Sequence, residues 1–583
     1  MASKIVLQDA FKGYTRDQDK VYPPAETVRR LTERLRRLDL DILERTVRID
    51  NGRLNIPVFF SYCGRDAAAL TGTKKQMGKG ATAEQAEASA VMELVERFSF
   101  FSFANNPDNF ITAPHRELTQ RAISFETIAA SVHDDASDLT AARGLFETLP
   151  LKWTQAYNLT REETVLIPFD WFYAINAFNG PSAGNCVEEA LCQGICEIIE
   201  RHTSSLISQN RLRCPGIDPH TSTDAMVLEM LAKYRKAGIR LHVTDFTLGL
   251  GVPTIGVLAY DPATFPVTSE IVWTAGTTPN PHKALSRALT EVAQLAGDFN
   301  SGTRYVASGL PKFNRLEDAD FVTQTAETVR LSDLPDVSCE NIKIEVESCV
   351  AELAARGLEV IAVDTTHERL KIPAFYTLVP GAHFRERARN TSVAMFSAKL
   401  LVEKLGPAAA LRELVQIEKK LPGAYYIAFY RGTCHLELNE PQQALNAFRQ
   451  ALGRQPNRQD SASIHAYMGV AYKEMGEYRL ALEVLAEGER VDPERTDIHN
   501  LMGFCHFKLK AHQEAIACFR KVIARDPSSA IDYANIASNY RDLGQRENAV
   551  RYYLTALEID PTLGFARDNL EKLTRQRTDP NGD

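Results

Sequence analysis

The chain contains no Cys-x-x-Cys pair, although ten cysteines are spread over its 583 residues. Neither a structural zinc site nor a disulfide framework is therefore indicated, and a reducing cytoplasm fits best. Cys192 and Cys196, four apart in a helical pattern, read as core packing, because free cysteine behaves as a small buried hydrophobe. No stretch stays apolar for about 18 residues, and Met1 to Ala10 lack the basic start and apolar centre of a secretory signal, so a soluble chain without a membrane span is expected. A marked excess of either charge is missing as well, with 67 Lys and Arg against 75 Asp and Glu. A formal net charge of -8 gives no electrostatic footprint for a phosphate backbone, and no nucleic-acid partner is expected. Also missing are a dinucleotide fingerprint, a kinase signature and a Gly-x-Ser-x-Gly elbow. Gly72 to Lys79 approaches a P-loop, but Gly78 is displaced from its place and Gly80 follows the lysine where Ser or Thr is required.

What is present begins with length and repetition. A chain of 583 residues exceeds the size of a single core, so at least two domains are expected. In its C-terminal part small residues recur at Gly432, Gly469, Gly503 and Ala537, alanines at Ala444, Ala481, Ala515 and Ala549, and helix-ending prolines at Pro456, Pro493, Pro527 and Pro561. A period near 34 marks stacked helix pairs, in which small residues let helices approach and proline stops the second helix. These residues, with aromatics at Phe448, Tyr472, Phe519 and Tyr553, resemble tetratricopeptide repeats over about 423–564. Phe565 to Gln576 reads as a polar closing helix and Arg577 to Asp583 as a disordered tail. The array reads equally as a surface for a peptide or partner protein and as a dimerisation module, so a homodimer stays open.

The N-terminal part, residues 1–395, alternates strand-like runs (Ile56–Tyr62, Val165–Tyr173, Arg240–Thr247, Leu358–Val363) with helical runs (Thr82–Asn105, Val187–Gln209, His282–Phe299), which predicts an α/β or α+β domain. Residues 396–422 form a helical connector interrupted at Gly406-Pro407, followed by an all-α repeat solenoid over 423–576 and the tail over 577–583.

Two helical runs carry one signature: Glu93-x-x-Glu96-Arg97 and Glu197-x-x-Glu200-Arg201. At 3.6 residues per turn, Ser89, Glu93, Glu96 and Arg97 share an arc of roughly 100°, and Glu189, Glu197 and Glu200 one of roughly 80°. Arg287, Glu291 and Gln294 repeat the spacing of Ser89, Glu93 and Glu96 on a third helix. The opposite faces are apolar, with Val91, Leu94, Val95 and Phe98 on the first helix and Leu191, Ile195, Ile198 and Ile199 on the second. On spacing alone these stripes read as solvated salt-bridge faces. Glycine-rich leads alter the weighing. Gly78-Lys79-Gly80-Ala81-Thr82 and Gly180 to Asn185 permit close backbone approach, and a helix N-terminus attracts phosphate. Magnesium takes hard oxygen ligands shared between a few carboxylates and substrate phosphates, so glutamates with arginines beside them suit a metal-bound triphosphate.

The runs Gly78–Thr82 through Ser89 to Arg97, Gly184-Asn185 through Glu188-Glu189-Ala190 to Arg201, Arg287 through Glu291 to Gln294, Val363–Thr366, Ile372-Pro373 and Pro380-Gly381 together resemble the YcaO family over roughly 12–390. The resemblance implies ATP and Mg2+ held among these helices, and phosphorylation of a peptide amide oxygen followed by loss of phosphate to a nucleophile. By this carry-over Glu93, Glu96, Glu189, Glu197 and Glu200 are metal-site carboxylates, while Ser89, Arg97, Arg201, Arg287 and Glu291 bind the nucleotide, with Gln294 alongside. No catalytic acid, base or nucleophile is assigned. Lys12 and Lys20, to which the family offers a nucleotide contact, read as solvated lysines.

Azoline-forming members of the family commonly end in a proline-rich tail, whereas this chain runs on into repeats and carries no fused leader-peptide-binding domain. That favours thioamide formation or support of ribosomal-protein methylthiolation in a cytoplasmic protein, for which a bacterial source fits. A peptide or protein substrate is implied, with a sulfur-transfer or methylthiotransferase partner recruited by the repeats. Two other readings remain: a nucleotide-binding adaptor, and an azoline-forming cyclodehydratase.

Overall fold

The computed structural model describes residues 4–118, 121–134, 136, 139–299, 310–325, 327–384, 391–526 and 528–575. Pro527, Gln576 and the tail over 577–583 lie outside the described residues. The described residues within Met1–Ser137 and Glu147–Val393 form one compact unit, and those within Asp138–Phe146 and Ala394–Asp583 form another.

Three sheets build the first unit, and each gives one edge strand to the same purpose. The three-stranded antiparallel sheet runs Leu43–Arg48, Val58–Cys63 and Lys75–Lys79 (β1). In the six-stranded sheet the order is Ile111–Ala113, Leu151–Asn158, Ile361–Asp364, Ala374–Leu378 and Pro181–Ala183 (β2), with Glu163–Pro168 pairing Leu151–Asn158. The five-stranded sheet begins with Val272–Thr277 (β3) and continues through Thr254–Tyr260, Arg240–Asp245, Gly216–Asp218 and Thr328–Arg330. Each of these edge strands leads within a few residues into a long helix: β1 into Ala83–Asn105 (α1), β2 into Val187–Asn210 (α2) and β3 into Pro281–Ala296 (α3).

Local chemistry starts each helix. The Thr82 hydroxyl accepts from Gln85 N–H, the Cys186 sulfur from Glu189 N–H, and the Asn280 amide oxygen from both His282 and Lys283 N–H, so first-turn donors are satisfied. Glycine then lets each helix lie against its own lead. A Cβ on Gly78 would stand 2.0 Å from Ala90 N, one on Gly184 2.5 Å from Ala190 N, and one on Gly276 2.4 Å from Ala284 O. The close backbone approach expected at Gly78 and Gly184 is thus made to the helix itself, and Gly276 makes the same approach.

Each helix buries its other face in a separate core. Val91, Leu94, Val95 and Phe98 of α1 meet Leu31, Leu35, Ile42 and Cys63. On α2, Leu191, Ile195, Ile198 and Ile199 pack with Val346, Cys349 and Leu353 of Ile342–Ala354 (α4) and with Phe375. Leu285, Leu289 and Val292 of α3 lie on Ile255, Val257 and Val272.

One strand expectation fails. Val165–Tyr173 is not one strand: it ends at Pro168, and Phe169–Asn176 is a helix. Its aromatics suit a strand by type, but Phe169, Phe172, Ile175 and Asn176 are buried at helical spacing.

In the second unit Val393–Leu405 and Pro407–Lys420 are separate helices, broken at Gly406. Helix pairs follow: Tyr425–Glu437 with Pro441–Gly453, Arg458–Glu474 with Tyr478–Val491, Thr496–Lys508 with His512–Arg525, and Ala530–Asp542 with Arg546–Ile559, after which comes Gly564–Arg575. The recurrent small residues make room for a large side chain of the paired helix. A Cβ on Gly432 would stand 2.3 Å from Phe448, on Gly469 2.5 Å from Leu485, and on Gly503 2.7 Å from Phe519, while buried Ala537 shares a core with Tyr553.

Candidate functional site

The polar stripes of α1, α2 and α3 face a cavity of about 420 Å³, inside the ~300–1,000 Å³ range of small-molecule sites. Ser89, Glu93, Glu96 and Arg97 line it from α1, Glu189, Glu197, Glu200 and Arg201 from α2, and Arg287, Glu291 and Gln294 from α3. The ten metal-site and nucleotide-binding candidates are therefore brought together, with Gln294 beside them. Ion pairs link them: Arg97 to Glu93 at 2.9 Å and to Glu96 at 3.6 Å, Arg201 to Glu197 at 3.8 Å, and Arg287 to Glu200 at 3.3 Å. Arg287 also donates to Gln193 Oε1 at 3.1 Å, across the gap between α3 and α2.

Burial dominates the electrostatics. It raises the Glu96 carboxyl well above the usual carboxylate range, helped by Glu93 beside it and opposed by Arg97. Glu197 is also raised, first by burial and against the pull of Arg201 and Arg97. Lys79 lies against Glu291, and burial with neighbouring Arg287 brings its amine down to about 7 despite Glu200. For the raised carboxyls, stability is fully present below the ordinary carboxylate pKa and is lost as pH rises through the raised one. If these carboxyls ligate metal, as the family resemblance implies, they must be ionised, so Mg2+-nucleotide binding should strengthen with pH over that window and release protons. Calorimetry in buffers of differing ionisation enthalpy should show a smaller release for Glu96→Gln than for the wild type, and equal releases would contradict the assignment.

The wall also holds residues that the helical pattern did not single out. Lys79 enters from β1, Gln193 from α2, and Gln18, Lys20 and Tyr22 from the N-terminal segment. That segment is strapped to the site elements. Lys283 of α3 donates to Thr15 O and Arg16 O at 2.8 and 2.9 Å and pairs with Asp224 at 2.7 Å, and Thr82 donates to Asp17 at 3.1 Å. Lys12 is not solvated: it is buried between Asp19 at 2.8 Å and Glu345 of α4 at 2.7 Å, because burying its ammonium requires paired carboxylates. Lys20 is half-buried on the cavity wall, again contrary to the solvated reading. Glu189 accepts from Val21 N–H at 2.5 Å and from the Asn185 backbone and side-chain amides at 2.9 Å, so it ties the strap to α2 as well as facing the cavity. Cys196 is buried as expected, whereas Cys192 is half-buried beside a smaller cavity of about 50 Å³.

Six carboxylates (Glu93, Glu96, Glu189, Glu197, Glu200 and Glu291) face five cationic side chains (Lys20, Lys79, Arg97, Arg201 and Arg287) across this wall. Such a lining is nearly balanced in charge and offers both carboxylates for a divalent cation and cationic donors for the phosphates that the cation accompanies. Among the described residues no three His, Cys, Asp or Glu groups stand close enough to hold a metal by themselves. Magnesium takes one or two carboxylates and completes its shell with phosphate and water, so it requires no such cluster. Arg97 Nη1 is buried without a hydrogen-bond acceptor, a donor left for an oxygen-rich ligand. The donor set thus fits a magnesium-bound phosphate compound.

Three helices led by sheet-edge strands, with carboxylates and arginines turned to one cavity, define a nucleotide-type site on an α/β unit. The chain belongs to the YcaO family: residues 77–383, more than half of it, match the model of the YcaO cyclodehydratase domain, which binds ATP and Mg2+. Tetratricopeptide-repeat models match residues 397–459, 435–505, 496–529 and 533–563. A protein of uncharacterised function from Methanothermobacter thermautotrophicus is 28% identical over 61% of this chain and 93% of its own length. The Escherichia coli ribosomal protein S12 methylthiotransferase accessory factor YcaO is 28% identical over 38% of this chain, which spans 40% of that protein. A solved heterocyclase in complex with substrate and cofactor shares the fold, with a TM-score of 0.53 and 22% identity over 66% of this chain and 55% of its own. Among the described residues no helix is long and apolar enough to cross a membrane.

Proposed function

We propose that this chain uses ATP and Mg2+ to phosphorylate the oxygen of a backbone amide in a peptide or protein, preparing it for thioamide formation or supporting ribosomal-protein methylthiolation. The observation that carries this reading is the meeting of three carboxylate and arginine stripes on one cavity, in a chain whose family domain binds ATP and Mg2+. When bound, ATP supplies the phosphoryl group that makes a poor leaving group a good one, and Mg2+ offsets its charge. Glu93, Glu96, Glu197 and Glu200 take the metal side, with Glu189 holding the strap edge of the same site. Ser89, Arg97, Arg201, Arg287 and Glu291 orient phosphate oxygens and those carboxylates, so catalysis is mainly positional and electrostatic. In this reading residues 1–395 are the catalytic domain, 396–422 a connector and 423–576 the recruiting repeats, in a cytoplasmic protein. The similarity to an accessory factor of a ribosomal-protein methylthiotransferase favours a protein substrate and a partner enzyme.

The repeats favour one further reading, an adaptor that binds ATP as a switch while a separate enzyme modifies the target. Purified protein should hydrolyse ATP only with Mg2+, and Glu93→Ala should abolish that hydrolysis. ATP binding without turnover, and without mass gain in any supplied peptide, would favour the adaptor. Full activity in Glu93→Ala would remove the site assignment.

A further inference from the structure

The opening turns of α1, α2 and α3 all hold one stretch of the N-terminal strap. Thr82, the N-cap of α1, donates to Asp17 at 3.1 Å, and Glu189 in the first turn of α2 accepts from Val21 N–H at 2.5 Å. Lys283 in the first turn of α3 donates to Thr15 O at 2.8 Å and to Arg16 O at 2.9 Å. Between these grips the strap closes on itself, with Tyr14 N–H donating to Lys20 O and Lys20 N–H to Tyr14 O, each at 2.9 Å. Thr15 and Arg16 therefore lie in the same closed turn as Gln18 and Lys20, two residues of the cavity wall. Displacing the first pair displaces the second.

Lys283 stands where stability disfavours a lysine. A cation in the first turn opposes the helix macrodipole, and Arg287, four residues on, is a like charge on the same face. The side chain is buried, so its ammonium has lost its water. Three acceptors take the place of that water, one for each ammonium hydrogen: the two strap carbonyls and Asp224 at 2.7 Å. Asp224 is fixed independently, because it caps the helix Ala225–Lys236 by accepting from Met226 N–H at 2.8 Å and from Val227 N–H at 3.3 Å. Lys283 lines the smaller cavity and not the large one, so it acts on the large one only through the strap.

Resting on the reading of the large cavity as a site for Mg2+-bound ATP, we propose that Lys283 is a positioning residue that clamps the Thr15–Arg16 backbone to α3 and thereby holds Gln18 and Lys20 as a wall against the nucleotide. It touches no nucleotide itself. Its bonds set how tightly the nucleotide is held and leave the transfer step to the carboxylates and arginines of the three stripes.

The test uses the full chain, with Mg2+ and a non-hydrolysable ATP analogue as the binding probe and Mg2+-ATP for turnover. Lys283→Met should weaken binding of the analogue about tenfold and raise the KM for ATP by a similar factor, with kcat within about twofold of the wild type, as for a contact made equally in ground and transition states. Lys283→Arg carries donors for both carbonyls and for Asp224, and should recover most of that affinity. Asp224→Asn is the structural control. It keeps an acceptor for the cap and leaves both strap bonds in place, so its melting temperature should fall while its affinity stays within about twofold of the wild type. Independently of turnover, trypsin should cut after Lys20 about fivefold faster in Lys283→Met, because the strap then opens locally. In the wild type, Mg2+ and the analogue together should slow that cut. A wild type that does not bind the analogue overturns the reading of the cavity. A wild type that binds, with Lys283→Met losing no more affinity than Asp224→Asn, overturns the positioning role. Should Lys283→Met fail to fold, the wild type decides: cleavage after Lys20 at the same rate with and without bound analogue overturns it as well.

Discussion

Glu200→Gln is expected to lower Mg2+-dependent ATP hydrolysis by about 10²–10³-fold, the scale of losing one preorganised electrostatic contact in a water-poor site. Glu200 is 7% exposed and pairs with Arg287, which also reaches Gln193. It therefore links α2 to α3 at the point where their stripes meet. Glutamine keeps the shape and one acceptor for Arg287 but removes the negative charge available to a metal. Glu200→Ala removes both and leaves Arg287 without its carboxylate, at a cost of about 3 kcal/mol in addition to lost activity. Comparing the two separates chemistry from folding. The glutamine variant should melt near the wild type and bind nucleotide without Mg2+ about as well, yet turn over slowly. Equal turnover in Glu200→Gln would mean that this carboxylate serves only to hold Arg287.

The convergence of the stripes was legible because helical periodicity is local: once Glu93, Glu96 and Arg97 fall on one face and Val91, Leu94 and Val95 on the other, the burial of one turns the other towards a common space. The repeats were legible for a similar reason, since each small residue and the side chain it admits lie on the two consecutive helices of one pair. Lys79 was not. It ends an edge strand, and its direction depends on register, here Lys79 opposite Val58. Gln18 and Lys20 were equally hidden, because their place is set by bonds between the strap and Lys283, Glu189 and Glu345, which are distant in sequence and carry no periodic signal. Glu189 shows the mixed case. Its face was readable, but its hydrogen bond from Val21 N–H was not, and this bond gives it a structural task beside any metal.

Gly78→Ala is expected to damage both fold and site, because β1 and α1 meet there backbone to backbone. The added Cβ would stand 2.0 Å from Ala90 N and 2.5 Å from Ala86 O, and neither atom belongs to a side chain that can turn away. Overpacking of a core costs about 1–3 kcal/mol, and contact with backbone on the helix side places this case at the upper end. Relief requires α1 to move off β1, and Ser89, Glu93, Glu96 and Arg97 move with it. The melting temperature should fall by about 5 °C or more, given a few degrees per kcal/mol in a domain of this size. Affinity for an Mg2+-bound, non-hydrolysable ATP analogue should fall in the same variant. Gly144→Ala supplies the contrast: nothing lies within 4 Å of its added Cβ, and helical alanine is favoured over glycine, so it should melt at or slightly above the wild type. If Gly78→Ala matched the wild type in melting and in nucleotide affinity, close strand-to-helix packing would not be what holds the α1 carboxylates in position.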